Sequence, residues 1–226
     1  MQTYFITGTD TDVGKTVASV LLLESLNQSG EHTLGIKPIS AGCENTKAGL
    51  RNEDALKLQA ASSIKADYQI INPITYVPFI APHIAAALKG ESISLPQLKD
   101  CLNKAKSLNP KWLLVEGAGG WRLPLNNEGV FYSDFAQQYQ LKVILVVGMK
   151  LGCINHAILS HEAIVNDGVK CVGWVANQLS PNMPNYQDNL ASLRALLPSP
   201  QLAEIPYQSE PVNKINLTDS FLQVFR

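Results

Sequence analysis

Gly8-Thr9-Asp10-Thr11-Asp12-Val13-Gly14-Lys15-Thr16 follows the apolar run Tyr4-Phe5-Ile6 and leads into Val17-Ala18-Ser19-Val20-Leu21-Leu22-Leu23. A strand, a glycine-bounded loop ending in Gly-Lys-Thr and a helix form a phosphate cradle. Loop amides and the helix N-terminus face the anion, Lys15 reaches the outer phosphates, and the Thr16 hydroxyl can ligate Mg²⁺. Five residues separate Gly8 from Gly14 where the common form has four, so the loop is a stretched variant. Asp10 and Asp12 are unusual beside a polyphosphate. Two readings stand open for them: turn residues that accept hydrogen bonds from loop amides, or groups that bind an amine.

Short apolar runs alternate with helical patterns along the rest of the chain. Tyr4–Thr7, Leu34–Lys37, Trp112–Glu116, Val143–Val147, Val172–Ala176 and Ala203–Pro206 read as strands; Val17–Gln28, Asp54–Ala61, Ser133–Tyr139, His156–Asn166 and Tyr186–Leu197 read as helices. Leu113-Leu114-Val115 and Ile144-Leu145-Val146-Val147 lack alternation, as strands buried on both faces do. The expected fold is therefore α/β, a mostly parallel sheet with helices on both faces, of the P-loop NTPase type. No linker-like stretch divides the chain, so residues 1–226 are expected to form a single domain.

Ligands of such sheets bind beyond the carboxyl ends of the strands. Lys37 closes one expected strand, Glu116 another, followed by Gly117-Ala118-Gly119-Gly120; Gly148-Met149-Lys150 follows a third, and Asn177 and Pro206 mark two more. Lys15 and Lys37 would bring two ammonium groups to a terminal phosphate, where electrostatic stabilisation dominates phosphoryl transfer. Magnesium takes oxygen ligands, and Asp54 and Glu116 are the carboxylates available for it. Asp54 has a second reading, as the cap of the helix that follows. Asn177 presents an acceptor and donors in one plane, which suits an adenine edge or a turn. His83, in Ala81-Pro82-His83, orders a loop or caps a helix, and no spacing among His32, His156 and His161 suggests a metal.

Composition narrows the class further. Hydrophobic residues make up 46% and charged residues 16%, with a net charge of −1. That is the profile of a globular protein without an electrostatic footprint for nucleic acid or an anionic membrane. No stretch has the length or apolarity of a membrane span, and the N-terminus runs into a strand without a leader pattern, so a cytoplasmic location is expected. Cys43, Cys101, Cys153 and Cys171 are scattered without a C-x-x-C pair and are expected to be free thiols.

Several longer motifs are far more specific than the loop: Lys37-Pro38, Leu50-Arg51-Asn52 with Asp54-Ala55-Leu56, Pro82-His83-Ile84, Val115-Glu116-Gly117-Ala118-Gly119-Gly120-Trp121, Leu151-Gly152-Cys153-Ile154-Asn155-His156, Gly173-Trp174-Val175-Ala176-Asn177 and Glu204-Ile205-Pro206. With the phosphate loop they cover nearly the whole chain, which resembles the dethiobiotin synthetases, ATP-dependent ligases of biotin synthesis. The resemblance implies that 7,8-diaminononanoate, CO₂ and ATP give dethiobiotin, ADP and phosphate through a carbamic–phosphoric anhydride, with Mg²⁺ as the only cofactor. It implies catalytic roles for Lys37, Lys15 and Thr11, a metal site of Thr16, Asp54 and Glu116, and ATP contacts from Asp12, Val13, Gly14, Lys15, Thr16, Val17, Asp54, Glu116, Gly117, Ala118, Gly119, Asn177, Gln178, Pro206 and Tyr207. The diamine would meet Thr11, Lys37 and Ala41. Its carboxylate tail would cross to Gly152, Cys153, Ile154 and Asn155 of a second subunit, because the family's members are homodimers.

Relatives commonly carry a hydroxyl residue where this chain has Ala41, so that contact is either lost or supplied by Ser40. The stretch 208–226 matches the family less sharply. The rival reading is a regulatory ATPase of the partitioning or cell-division type, built on a similar deviant loop. Such proteins carry an additional lysine early in the loop, where this chain reads Thr9-Asp10-Thr11.

Overall fold

The structure, a computed structural model, describes residues 1–207 and 215–225. In chain order the elements are β1 (Gln2–Gly8), α1 (Lys15–Gln28), β2 (Thr33–Ile36), β3 (Ile39–Ser40), β4 (Glu44–Thr46), β5 (Gly49–Arg51), α2 (Glu53–Ala61), α3 (Tyr68–Ile71), β6 (Ile74–Thr75), α4 (Pro82–Leu88) and α5 (Leu95–Lys106). They continue as β7 (Trp112–Gly120), α6 (Tyr132–Gln138), β8 (Lys142–Met149), α7 (Cys153–Asn166), β9 (Cys171–Gln178), α8 (Tyr186–Leu196), β10 (Gln201–Ile205), β11 (Asn216–Leu217) and α9 (Asp219–Val224). The main sheet has seven strands in the order β11-β10-β9-β8-β1-β7-β2. Every pairing in it is parallel except β10 with β11 at the edge.

Alternate residues of the central strands feed two cores. Phe5, Leu113, Val115, Val143, Leu145 and Val147 pack with residues of α5, α6, α7 and α8 on one face. Tyr4, Ile6, Leu114, Ile144 and Val146 pack against α1 and α9 on the other. Burial on both faces explains why these strands read as unbroken apolar runs.

Element ends depart from the sequence reading for local reasons. Lys37 and Pro206 lie just past β2 and β10, and proline has no N–H to continue a ladder. β7 runs beyond Glu116 to Gly120. It pairs Ile6 with Glu116 and then Gly8 with Gly120, so Gly117-Ala118-Gly119 bulges out of the ladder beside the phosphate loop.

The chain leaves β1 for β2, returns to β7 between them, and only then crosses to β8 on the other side of β1. The strand order therefore reverses at β1, and the switch point, where ligands of such sheets bind, lies at its carboxyl end. Two small pairings, β3 with β6 and β4 with β5, sit beyond the end of β2 and have no counterpart in the sequence reading.

Candidate active site

The phosphate loop is held by packing as well as by hydrogen bonds. Val13 is fully buried at the ends of β1 and β8, and Asp12 takes a positive φ of 56°. Gly14 has φ +86°, and a Cβ there would lie 2.1 Å from Asn177 Nδ2, so only glycine fits both the turn and its neighbour. Asp10 takes the turn role left open above, its Oδ1 accepting from the Thr11 amide at 2.8 Å. Its other oxygen accepts from Lys150 Nζ at 2.9 Å, and the lysine and the amide together hold the carboxyl below the usual range. Thr11 and Asp12 are exposed, and Thr11 Oγ1 would lie 3.7 Å from a Cβ on Gly119.

Lys15 and Lys37 are each 7% exposed. The Lys15 ammonium donates to the carbonyl of Asp10 at 3.2 Å. Burial pulls its pKa down; Glu116 opposes that in part, and Lys37 adds to it. Lys37 lies differently: its Nζ donates to Asp54 Oδ2 and to Glu116 Oε1, each at 2.7 Å. Burial alone would lower its pKa, but the two carboxylates raise it above the ordinary lysine value. Thr16 Oγ1 donates to the same Glu116 oxygen at 2.8 Å. Burial raises the Asp54 pKa, Lys37 outweighs that, and the carboxyl is held below its usual range.

Asp54 is not the helix cap. That role falls to Asn52, whose Oδ1 accepts from the Ala55 amide at 3.2 Å, so Asp54 sits in the first turn of α2 with its carboxylate on Lys37.

Four residues, from the end of β2 and from α2, β7 and α1, thus meet at one point. Glu116 is 0% exposed, and its Oε2 has no hydrogen-bond partner among the described residues. A buried carboxylate oxygen left open beside a threonine hydroxyl and a second carboxylate is an all-oxygen donor set, which suits a hard divalent cation such as magnesium.

The remaining expected residues spread along the same rim. Asn177 Nδ2 donates to the carbonyl of Val13 at 2.9 Å, so part of its amide braces the loop instead of lying open to a base. Gln178 Oε1 accepts from the Tyr207 amide at 3.2 Å, which joins the ends of β9 and β10 beside Pro206. Val17 is partly buried against the α1 core. Ala118 and Gly119 are partly buried and Gly117 is buried.

The group Gly152–Asn155 lies at the start of α7, with Cys153 buried and Gly152 and Asn155 exposed. Among the described residues none of these four has a hydrogen bond or ion pair to the lysine–carboxylate cluster; the segment is tied to the phosphate loop through the adjacent Lys150. Ala41 is partly buried against the core. Ser40 is 1% exposed and donates inward to Asn72 Oδ1 at 2.8 Å, so its hydroxyl does not replace the one missing at position 41. His83 caps nothing: it lies inside α4, and its buried Nδ1 has no partner among the described residues. Residues 208–214 and 226 of the C-terminal stretch lie outside the described residues.

Sheet order, switch point and phosphate loop define a P-loop nucleotide-binding protein, and a family model described as an AAA domain matches residues 2–214. The MinD cell division protein of Aquifex aeolicus superposes with a TM-score of 0.56 at 15% identity, over 92% of this chain and 83% of its own. Likeness at that identity speaks for the fold alone. Much nearer are two proteins named ATP-dependent dethiobiotin synthetase BioD. The one from Pseudoalteromonas translucida is 46% identical over 225 residues, covering 100% of this chain and 98% of its own. The one from Aeromonas hydrophila is 47% identical over 212 residues, covering 94% and 93%. The chain belongs to the dethiobiotin synthetase family.

Proposed function

We propose that the chain is an ATP-dependent cyclo-ligase that converts 7,8-diaminononanoate, CO₂ and ATP to dethiobiotin, ADP and phosphate. One amine of the substrate adds to CO₂ and loses a proton, giving a carbamate. A carbamate oxygen attacks the γ-phosphorus of ATP, and the bond to the β-phosphate oxygen breaks to release ADP. The second amine then attacks the carbonyl carbon of the anhydride, phosphate leaves with the bonding pair, and the ring closes.

The observation that carries the reading is the Lys37 ammonium, 2.7 Å from both Asp54 and Glu116 at the mouth of a phosphate loop. Lys37 and Lys15 bind the carbamate and the phosphoryl oxygens and offset the charge that moves between them. Thr11 and the bulged Gly117–Gly119 backbone orient the carbamate beside the loop. Thr16, Asp54 and Glu116 would hold Mg²⁺, which when bound would neutralise phosphate charge. Asn177, Gln178, Pro206 and Tyr207 border the adenine, with Asn177 Oδ1 free to accept from its amino group.

We further read residues 1–226 as one ligase domain that works as a cytoplasmic homodimer. The start of α7 would receive the substrate carboxylate from the partner subunit, where exposed helix amides favour an anion. Leu151, 96% exposed just before that helix, supports a covered face there. Nothing at 15% identity favours the regulatory ATPase.

The test is ADP release by the purified chain with each substrate omitted in turn. Release is expected only when diamine, bicarbonate and ATP are all present, whereas diamine-independent hydrolysis would reject the ligase.

A further inference from the structure

Behind the Lys37 cluster lies a second polar group that the proposed reaction does not use. Asn72 is 0% exposed, just after α3 and before Pro73. Its Nδ2 donates to the backbone carbonyl of Lys37, and its Oδ1 accepts from Ser40 Oγ and from Tyr68 OH, each at 2.8 Å. With its one proton given to Asn72, the Tyr68 hydroxyl accepts from the Asn52 amide at 2.7 Å. Asn52 in turn caps α2, the helix that carries Asp54.

The amide orientation is set by chemistry. Reversed, the side chain would aim its oxygen at a carbonyl and its NH₂ at two hydroxyl donors. Backbone bonds reinforce the frame: the Lys37 amide donates to Ile71 O at 2.8 Å, and the Tyr76 amide donates to Ser40 O at 2.9 Å.

We infer that Asn72 and Tyr68 are positioning residues that fix the spacing between Lys37 and Asp54. Lys37 sits on the bend after β2 and Asp54 on the first turn of α2. At this end the two are linked by a chain of hydrogen bonds from the Lys37 carbonyl through the Asn72 amide and the Tyr68 hydroxyl to the Asn52 amide, while the far end of α2 is tied to β2 separately, the Gly35 amide donating to Ser62 Oγ at 2.9 Å. Buried bonds of this kind are costly to leave unpaired, so the chain holds one arrangement. A shift of the backbone at Lys37 or of the first turn of α2 would carry the ammonium or its carboxylate with it, and transfer chemistry tolerates little displacement of such groups.

The inference rests on the ligase reading for its kinetic consequence and on geometry alone for its structural one, so the test has an arm for each. In the kinetic arm, Tyr68→Phe and Asn72→Ala are expected to lower kcat roughly ten- to hundredfold with KM for ATP within about twofold. Asn72→Asp is expected to recover relative to wild type as pH falls, because a protonated carboxyl can donate to the Lys37 carbonyl as the amide does. Leu193→Ala on α8, a core truncation toward the other edge of the sheet, is expected to lower the melting temperature with kcat unchanged and no pH trend.

In the structural arm, acetic anhydride labelling read by mass spectrometry follows Lys37 with Lys15 as internal reference. Lys37 labelling is expected to rise at least about fivefold in Tyr68→Phe and Asn72→Ala, with Lys15 unmoved. Unchanged Lys37 labelling, or a loss of kcat no greater than that of Leu193→Ala, overturns the inference. Absent turnover in the wild type would reject the ligase reading and leave the labelling arm to decide this one.

Discussion

Replacing Lys37 by glutamine separates its observed role, bridging two carboxylates, from the one the proposed function gives it, stabilising transferred charge. Its Nζ bridges Asp54 and Glu116, whose side chains are 39% and 0% exposed. Without it, Asp54 can turn to water, so most of the cost falls on Glu116, left buried with the Thr16 hydroxyl alone. Removing one partner of a buried pair costs about 3–5 kcal/mol, and the half-open Asp54 argues for the lower end, about 3 kcal/mol. For a chain of this size each kcal/mol moves the melting temperature by about 2–4 °C, so Lys37→Gln should melt about 6–12 °C lower near pH 7.

The pH dependence of that gap has a defined sign. Lys37 holds the Asp54 carboxyl below its usual value, so this contribution is present above the unfolded value of 3.8 and is lost as pH falls through the folded one. The gap between variant and wild type should therefore narrow in acid by the Asp54 share of it. Diamine- and bicarbonate-dependent turnover should fall at least about 10²–10³-fold while ATP binding by calorimetry remains measurable, since Lys15 and the loop are intact. Turnover within threefold of wild type, or an unaltered melting temperature near neutral pH, would refute the placing of Lys37 at the centre of the site.

Three other perturbations test neighbouring parts of the same picture. Lys15→Met should raise the melting temperature of the protein without nucleotide by a few degrees, because a buried ammonium whose only hydrogen bond among the described residues is a 3.2 Å contact to a carbonyl is held at a cost; ATP should then give no further stabilisation in a thermal-shift assay. Asn177→Ala should weaken ATP and inorganic triphosphate alike, by about tenfold, if its bond to the Val13 carbonyl braces the loop; a loss confined to ATP would assign it to the base alone. His161 is 4% exposed, 2.7 Å from Ser199 Oγ, and burial lowers its pKa, so the unfolded chain takes up its proton first as pH falls. Denaturant stability should therefore decline below about pH 6.5, and His161→Gln should flatten that slope.

What could be read from the sequence was whatever has a local cause. The central strands announce themselves because burial on both faces forbids polar residues, and the phosphate loop because its glycines and lysine serve a fixed geometry. Helix α5, absent from the sequence expectation, carries equally local signals: Ser94 and Gln97 form a capping box, and Leu98, Cys101, Leu102 and Ala105 recur at helical spacing. The pairing of β3 with β6 was not legible, since two-residue strands carry no periodicity and depend on contacts across the chain. Asp54 looked like a cap because carboxylates favour helix starts; only the structure shows Asn52 capping and Asp54 turned to a lysine 17 residues away. Asn72 before Pro73 reads as an ordinary turn, and its partners Lys37 and Ser40 lie 35 and 32 residues distant. Ser40 illustrates the limit well: its neighbour Ala41 invites an exchange of hydroxyls, yet the Ser40 hydroxyl is buried and committed to Asn72, a partner 32 residues away.

The charged groups of the site lean on one another and on the loop backbone. Lys37 occupies Asp54 and Glu116, and Lys15 folds back onto its own loop. Those internal bonds are also what a nucleotide must displace, because under the proposed function the carboxylates and the ammoniums both acquire new partners at once. Exchange of partners, rather than assembly of scattered charges, keeps the reorganisation small: each ammonium needs to shift only by the reach of its own side chain. The backbone behind it stays pinned by Asn72 and by the buried Val13. A site built this way ties affinity to charge balance, so neutralising either lysine should change ligand-free stability and ligand binding together. Lys15→Met is the clearest case, because the substitution expected to stabilise the empty protein is also the one expected to abolish its response to ATP.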